Sequence, residues 1–104
     1  MPQLQAAEHL ATLSALGQET RLASFRALVE AGAEGLAAGD IARRIGTPPN
    51  TMSTHLAILE RAGLIGSRRA GRSIIYSANL DAMQNLVLYL VQDCCDGNPG
   101  LCSS

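Results

Sequence analysis

The stretch that most constrains the fold is residues 48–62, P-P-N-T-M-S-T-H-L-A-I-L-E-R-A. Its large apolar residues recur at i, i+4 and i+7, which predicts a helix with one face in the core: Met52, Leu56 and Leu59. Thr47 is expected to cap the start of this helix, Pro48 suits its first turn, and Gly63 ends it. His55 shares the apolar face, so we expect it to be packed or flanking rather than a base-reading residue or a metal ligand.

The segments on either side of this helix extend the pattern. Residues 40–46, D-I-A-R-R-I-G, predict a brief helix, so that two helices joined by a glycine turn form a helix-turn-helix. Beyond it, two β-like runs within residues 64–78 flank Ala70-Gly71, which predicts a hairpin. The helix-turn-helix is therefore expected to carry a two-stranded wing.

The remainder of the chain reads as helices. Segments 3–16 and 18–32 have apolar residues at helical spacing, residues 33–39 read as a turn, and a last helix opens at Asn79 or Asp81. The fold class is therefore mainly α with a small β-hairpin. We expect residues 1–93 to form a single domain, followed by a tail, residues 94–104. Only 3% of the 104 residues are aromatic, so the core is small and would gain from burying a second copy of itself.

Positive charge is concentrated in the middle of the chain. The net charge is -1, yet residues 43–72 contain six of the eight arginines and only one acid, Glu60, for a local charge of +5. The six are Arg43, Arg44, Arg61, Arg68, Arg69 and Arg72. A basic patch on an almost neutral protein is typical of a polyanion-binding surface, and arginine favours forked contacts to phosphate and guanine.

The helix face opposite the apolar stripe offers small polar side chains that suit a DNA major groove. They are Asn50, Thr51, Ser53 and Thr54, with Ala57 beside them. The alternative is that this face and the arginines are ordinary solvated surface. The coincidence of helix, turn, polar face and basic hairpin, in that order, favours DNA binding.

All three cysteines lie in the last eleven residues: Cys94, Cys95 and Cys102. An odd number excludes a closed disulfide framework within one chain, and adjacent cysteines do not pair without strain. Between them, D-G-N-P-G can turn the chain back, so three thiolates can converge on one ion. As(III) and Sb(III) accept three sulfurs in a pyramid. Cd(II) or Pb(II) in the same site and a thiol-oxidation switch remain alternatives.

Three strings together resemble the ArsR/SmtB family of small metal-sensing repressors. They are LGQETRLASFRALVEAG, NTMSTHLAILERAGLI and SRRAGRSIIYSAN, and the similarity spans about residues 8–92. The resemblance implies a winged-helix homodimer formed through the first and last helices. It also implies a near-palindromic double-stranded operator with half-sites about one DNA turn, roughly 34 Å, apart.

Two metal sites of that family are missing from this sequence. Ala37 and Gly39 stand where arsenic- and cadmium-sensing members carry cysteines before an Asp, and the last helix has Asp81 but no histidine. Some arsenic-responsive members are similar in having a vicinal cysteine pair and a third cysteine near the C-terminus. The resulting hypothesis is a repressor whose apo dimer binds DNA and releases it when one As(III) or Sb(III) per protomer binds the three thiols, with no cofactor needed for folding.

An enzyme and a membrane protein are disfavoured. Thiol enzymes need a stabilised thiolate, whereas Cys94 and Cys95 are expected at a helix C-terminus, where the dipole disfavours an anion. No apolar run approaches the roughly 20 residues of a membrane span, and residues 1–10 lack a secretory signal pattern. We therefore expect a cytoplasmic protein with reduced thiols.

Overall fold

The computed structural model describes the backbone of residues 2–97 and the side chains of residues 6–92. The described residues form five helices in the predicted order, a turn of 3-10 helix, and a sheet with one more strand than predicted. The elements are α1 (Pro2–Leu16), α2 (Glu19–Ala31), the 3-10 turn (Gly32–Glu34), β1 (Leu36–Ala37), α3 (Ala38–Ile45), α4 (Pro49–Arg61), β2 (Ile65–Ala70), β3 (Ser73–Ala78) and α5 (Leu80–Gly97).

The core lies where α2, α3 and α4 meet the base of the sheet. As the periodicity predicts, Met52, Leu56 and Leu59 of α4 are fully buried. They pack in one cluster with Phe25 and Leu28 of α2, to which α1 adds Ala15, α3 adds Ile41 and Ala42, and the start of the wing adds Leu64 and Ile65. The core is therefore built almost entirely from aliphatic side chains, as the scarcity of aromatic residues indicates.

The turn between α3 and α4 ends one helix and begins the next. Gly46 adopts a left-handed conformation with φ of 81°. The N–H groups of Gly46 and Thr47 both donate to the carbonyl oxygen of Ala42 at 2.9 Å. The predicted cap at Thr47 is wrong: Pro48 occupies the cap position and Pro49 the first turn, and no side chain caps α4. Thr47 instead belongs to the hydrogen-bonded end of α3.

The wing is a three-stranded antiparallel sheet in the order β1-β3-β2, rather than the two-stranded hairpin that the sequence predicts. The additional strand, β1, pairs Leu36 with Tyr76. Gly35 makes this close approach feasible, since a Cβ there would lie 2.2 Å from the carbonyl oxygen of Tyr76. The segment expected to be a plain turn therefore attaches the wing to the body of the domain.

The tip of the wing lies one residue later than predicted. Ala70 pairs with Ser73, so the two loop residues are Gly71 and Arg72 rather than Ala70 and Gly71. Gly71 has φ of 64°. Glycine at the first loop position suits the type II′ turn that matches the twist of a hairpin. As a result, Arg72 lies at the outermost point of the wing.

Helices α1 and α5 leave large apolar side chains in solvent. Leu10 on α1 is 64% exposed, and Leu88 and Leu90 on α5 are each 56% exposed. The two helices touch through stacked rings, with the centroids of His9 and Tyr89 4.2 Å apart. Helix α5 begins where the Asn79 side chain accepts a hydrogen bond from the Ala82 N–H, at 3.2 Å, so Asn79 is the cap. No helix in the described part of the chain is long and apolar enough to cross a membrane.

Candidate nucleic-acid interface

The polar residues predicted to face DNA all lie on one exposed face near the start of α4. Asn50, Thr51, Ser53 and Thr54 are exposed, whereas Met52 between them is fully buried. Within the described part of the chain, this group makes a single side-chain hydrogen bond, from the Thr54 hydroxyl to the Asn50 carbonyl oxygen at 3.5 Å. These side chains are therefore available to other donors and acceptors.

Acidic residues from outside the basic segment reduce its charge. Arg43 forms an ion pair with Asp40, and Arg44 lies 3.3 Å from a carboxylate oxygen of Glu30. Both pairs are solvent-exposed, so each is weak and an incoming phosphate can compete with it. The local charge of +5 counted along the sequence therefore overstates the charge of the folded surface.

The wing arginines differ in how firmly they are held. Arg68 donates to the Glu34 carbonyl oxygen at 3.0 Å, which connects β2 to the 3-10 turn. Arg69 and Arg72 are exposed, and their side chains form no hydrogen bond or ion pair with the described residues. The wing therefore presents two uncommitted guanidinium groups near its tip.

Arg61 lies apart from the other predicted residues. It follows Asn50 by eleven residues, which is roughly 16 Å along a helix axis. It lines a cavity of about 220 Å³ between α1 and the end of α4, together with Ser14 and Ile58. Arg61 is exposed like the other five predicted arginines, but it lies at the end of α4 beside α1, whereas they lie in α3 and in the wing.

His55 is half-buried and contacts Arg21 of α2, with the arginine NH1 3.2 Å from the imidazole Nδ1. The expectation that His55 is a packed or flanking residue is confirmed. Sequence reasoning did not single out Arg21, because an arginine within an amphipathic helix gives no local sign of a contact with a residue 34 positions later.

The end of α4 is linked to the wing through a carboxylate. Glu60 accepts a hydrogen bond from the Ser67 hydroxyl at 2.9 Å. Ser67 pairs with Tyr76 across the sheet. Partial burial, and secondarily the negative charge of Glu60, raise the pKa of the Tyr76 phenol above its ordinary value. The acid that the sequence places within the basic segment thus faces the sheet.

The predicted thiol site lies outside the described side chains. The backbone of Cys94 and Cys95 belongs to the last turn of α5, which ends at Gly97, four residues beyond the expected end of the domain at 93. Their side chains, and the whole of Cys102, are not described. Among the described residues, no group of three histidine, cysteine or carboxylate side chains could hold a metal ion.

A family of helix-turn-helix domains matches residues 16–68, which run from the end of α1 through β2. A solved ArsR-like transcriptional regulator from Rhodococcus sp. RHA1 superimposes with a TM-score of 0.79. It is 26% identical over 94% of this chain and 90% of its own. The chain belongs to the ArsR family of helix-turn-helix regulators.

Two other solved structures are similar to this ArsR-family regulator. A homodimeric winged helix-turn-helix DNA-binding domain from Mycobacterium bovis is 29% identical over 86% of this chain and 80% of its own, with a TM-score of 0.63. The transcriptional repressor BigR from Xylella fastidiosa is 28% identical over 86% of this chain and 90% of its own, with a TM-score of 0.65. No curated protein sequence matches the chain. The predicted fold is confirmed, and the protein is a DNA-binding transcriptional regulator rather than an enzyme.

Proposed function

We propose that this ArsR-family regulator is a homodimeric repressor. Its apo form binds a near-palindromic operator, and As(III) or Sb(III), bound by Cys94, Cys95 and Cys102, causes release. The observation that carries the DNA-binding part is the exposed polar face at the start of α4. The clustering of every thiol of the chain at its end carries the sensing part.

The start of α4 suits entry into a major groove. Asn50, Thr51, Ser53 and Thr54 are short and exposed, so their hydroxyl and amide groups can reach base edges without lifting the helix out of the groove. No described side chain caps this helix, so the N–H groups of Asn50 and Thr51 and the helix dipole favour a nearby phosphate. Arg69 and Arg72 at the wing tip then supply charge to the flanking backbone.

The apolar faces of α1 and α5 support the dimer. A solvent-exposed row of leucine and valine side chains on two adjacent helices is typical of a protein interface. The radius of gyration is 15.5 Å, whereas a compact domain of this length has about 13 Å. Association of two protomers through α1 and α5 would cover these side chains and place two α4 helices on one operator.

The donor chemistry supports a soft trivalent ion. Thiolates select soft metals, and three of them complete the pyramidal sulfur environment of As(III) or Sb(III), whereas structural zinc requires a fourth ligand. Since Cys94 and Cys95 belong to α5, ion binding would act on the helix that carries the exposed apolar face. The ion can release DNA only by binding the free dimer more tightly, and the effect is reciprocal: ~1–3 kcal/mol of coupling weakens DNA binding ~5- to 150-fold.

The test begins with a duplex selected by the protein from a randomised library. Fluorescence anisotropy of this labelled duplex is measured while arsenite is titrated. We expect arsenite to weaken binding of the duplex ~5- to 150-fold for the wild type and to leave it unchanged for Cys102→Ser. X-ray absorption of the arsenite-loaded protein should count three sulfur ligands.

Each part of the proposal has its own contradicting result. Failure to select any duplex at low ionic strength would exclude the DNA-binding function. Constant affinity at saturating arsenite would exclude arsenic sensing. Release by Cd(II), Pb(II) or peroxide without release by arsenite would assign the thiols to one of the alternative effectors.

A further inference from the structure

Two polar contacts join α2 to α4 on successive turns. The Ser24 hydroxyl lies 3.5 Å from the sulfur of Met52, and Arg21 contacts His55. Ser24 and Met52 are fully buried within the core. The contact between Arg21 and His55 is only part-buried, and His55 lies at the edge of the apolar face of α4.

Arg21 also holds α1. Its Nε donates to the carbonyl oxygen of Ala15, in the last turn of α1, at 2.6 Å. The backbone N–H of Arg21 donates to the side chain of Gln18 at 2.8 Å, and this hydrogen bond caps the start of α2. One planar guanidinium therefore bridges the end of α1 and the middle of α4.

The bridge specifies the state of the imidazole. An arginine side chain only donates hydrogen bonds, so Nδ1 of His55 must be the unprotonated, accepting nitrogen. The tautomer that fits this contact carries its proton on Nε2. A protonated ring would have no acceptor to offer and would place a second cation beside the guanidinium.

We propose that Arg21 is a positioning residue for DNA binding. It sets the orientation of α4 against α1 by donating to Ala15 and to neutral His55, without touching DNA. The inference rests on the proposed DNA-binding function and adds to it a residue that links α1 to α4. Since α1 is the helix proposed to meet the second protomer, the bridge transmits the relative position of the two protomers to α4.

The test compares Arg21→Met with Arg26→Met, each measured on the selected duplex and on a scrambled duplex. Arg26 is an exposed arginine of the same helix, and its side chain forms no hydrogen bond or ion pair with the described residues. We expect Arg21→Met to weaken binding to the selected duplex about tenfold, as the loss of a charge-assisted hydrogen bond does. Arg21→Met should leave binding to the scrambled duplex unchanged, since phosphate contacts are retained. Arg26→Met should change binding to neither duplex.

Changes at His55 separate a positioning contact from simple packing. His55→Leu removes the acceptor and should reproduce the tenfold loss. His55→Asn places a carbonyl oxygen close to the position of Nδ1 and should restore binding to within about threefold of the wild type. The double variant Arg21→Met/His55→Leu should bind no more weakly than either single variant, because both remove the same contact.

A readout without DNA checks the geometry. The chain has two histidines, so the NMR signals that disappear in His55→Asn belong to His55. Nitrogen NMR of the wild type should show Nδ1 as the unprotonated nitrogen, and Arg21→Met should change its shift. Thermal unfolding by circular dichroism checks that each variant is folded, and Arg21→Lys, which retains one donor, replaces Arg21→Met if that variant is unfolded.

The results distinguish the role of Arg21 from the proposed DNA-binding function. If the wild type binds no duplex, both are overturned. If the wild type binds and Arg21→Met binds equally well, only the inference is overturned. An equal loss on the scrambled duplex would show a direct phosphate contact by Arg21, and failure of His55→Asn to restore binding would show that packing, not the acceptor, matters at position 55.

Discussion

The two exposed surfaces of this regulator are built from helices of similar length but differ in chemistry. The outer face of α4 carries hydroxyl and amide groups beside the wing arginines, whereas the outer faces of α1 and α5 carry leucine and valine. Neither exposed face contributes to the core, which α2, α3 and α4 form together with Ala15 of α1 and the start of the wing. The difference supports the proposal that the α4 surface binds DNA and the α1 and α5 surface binds a second protomer.

The largest expected effect comes from placing charged side chains on the apolar surface of α5. Val87→Glu combined with Leu90→Glu should raise the dimer dissociation constant at least 1,000-fold, roughly 4 kcal/mol, because each charge would be buried without a partner. Both residues are exposed in the protomer, so the fold should survive. Light scattering after gel filtration measures the dimer, and Ala57→Glu, exposed on α4 and away from the apolar surface, is the control. A double variant that stays dimeric would contradict the proposed interface.

The attachment of the wing can be tested with two glycines of similar backbone conformation. Gly35→Ala combines a φ of 70° with a clash against the Tyr76 carbonyl, so we expect the free energy of unfolding to fall by about 2–3 kcal/mol. Gly32→Ala has φ of 67° with open space around it, so its loss should be about 1 kcal/mol. Urea unfolding measures both. Equal losses would mean that the close approach of β1 to β3 contributes nothing.

Two arginines that the sequence groups together should behave differently. Arg72→Ala at the wing tip should weaken DNA binding roughly 5- to 10-fold and make the salt dependence shallower by about one phosphate contact. Arg61→Ala should leave both unchanged, since Arg61 lies beside α1. Anisotropy titrations across a range of salt concentrations measure the slopes. A shallower slope for Arg61→Ala would place this residue on the DNA instead.

The smallest expected effect concerns Tyr76. Because its pKa is raised, the folded protein keeps the phenolic proton where the unfolded chain, with a pKa of about 10, loses it. Its contribution to stability is therefore complete below pH 10 and is lost as the pH rises through the folded-state pKa. In a Tyr89→Phe background, ultraviolet titration reports Tyr76 alone, and Glu60→Gln should lower its pKa part of the way. An unchanged titration in Glu60→Gln would leave burial as the whole cause.

Much of the fold was predictable because it depends on local periodicity. The stripe of Met52, Leu56 and Leu59 defines the buried face of α4 within a single helix, and Gly71 between two β-like runs indicates the hairpin. The four polar residues of the candidate DNA-binding face then follow from helix geometry alone, since they occupy the opposite side. The thiol cluster was equally visible, and its role stays a prediction.

What only the tertiary structure decided depends on contacts between distant segments. A two-residue strand has no periodicity of its own, so β1 is set by its partner Tyr76, forty positions beyond Leu36. The pairing of Arg44 with Glu30 and the bridge from Arg21 to His55 likewise join residues on different helices. Sequence determines which face of each helix is apolar, because the backbone fixes that period, but the packing of the helices decides which charges meet and which apolar faces remain uncovered.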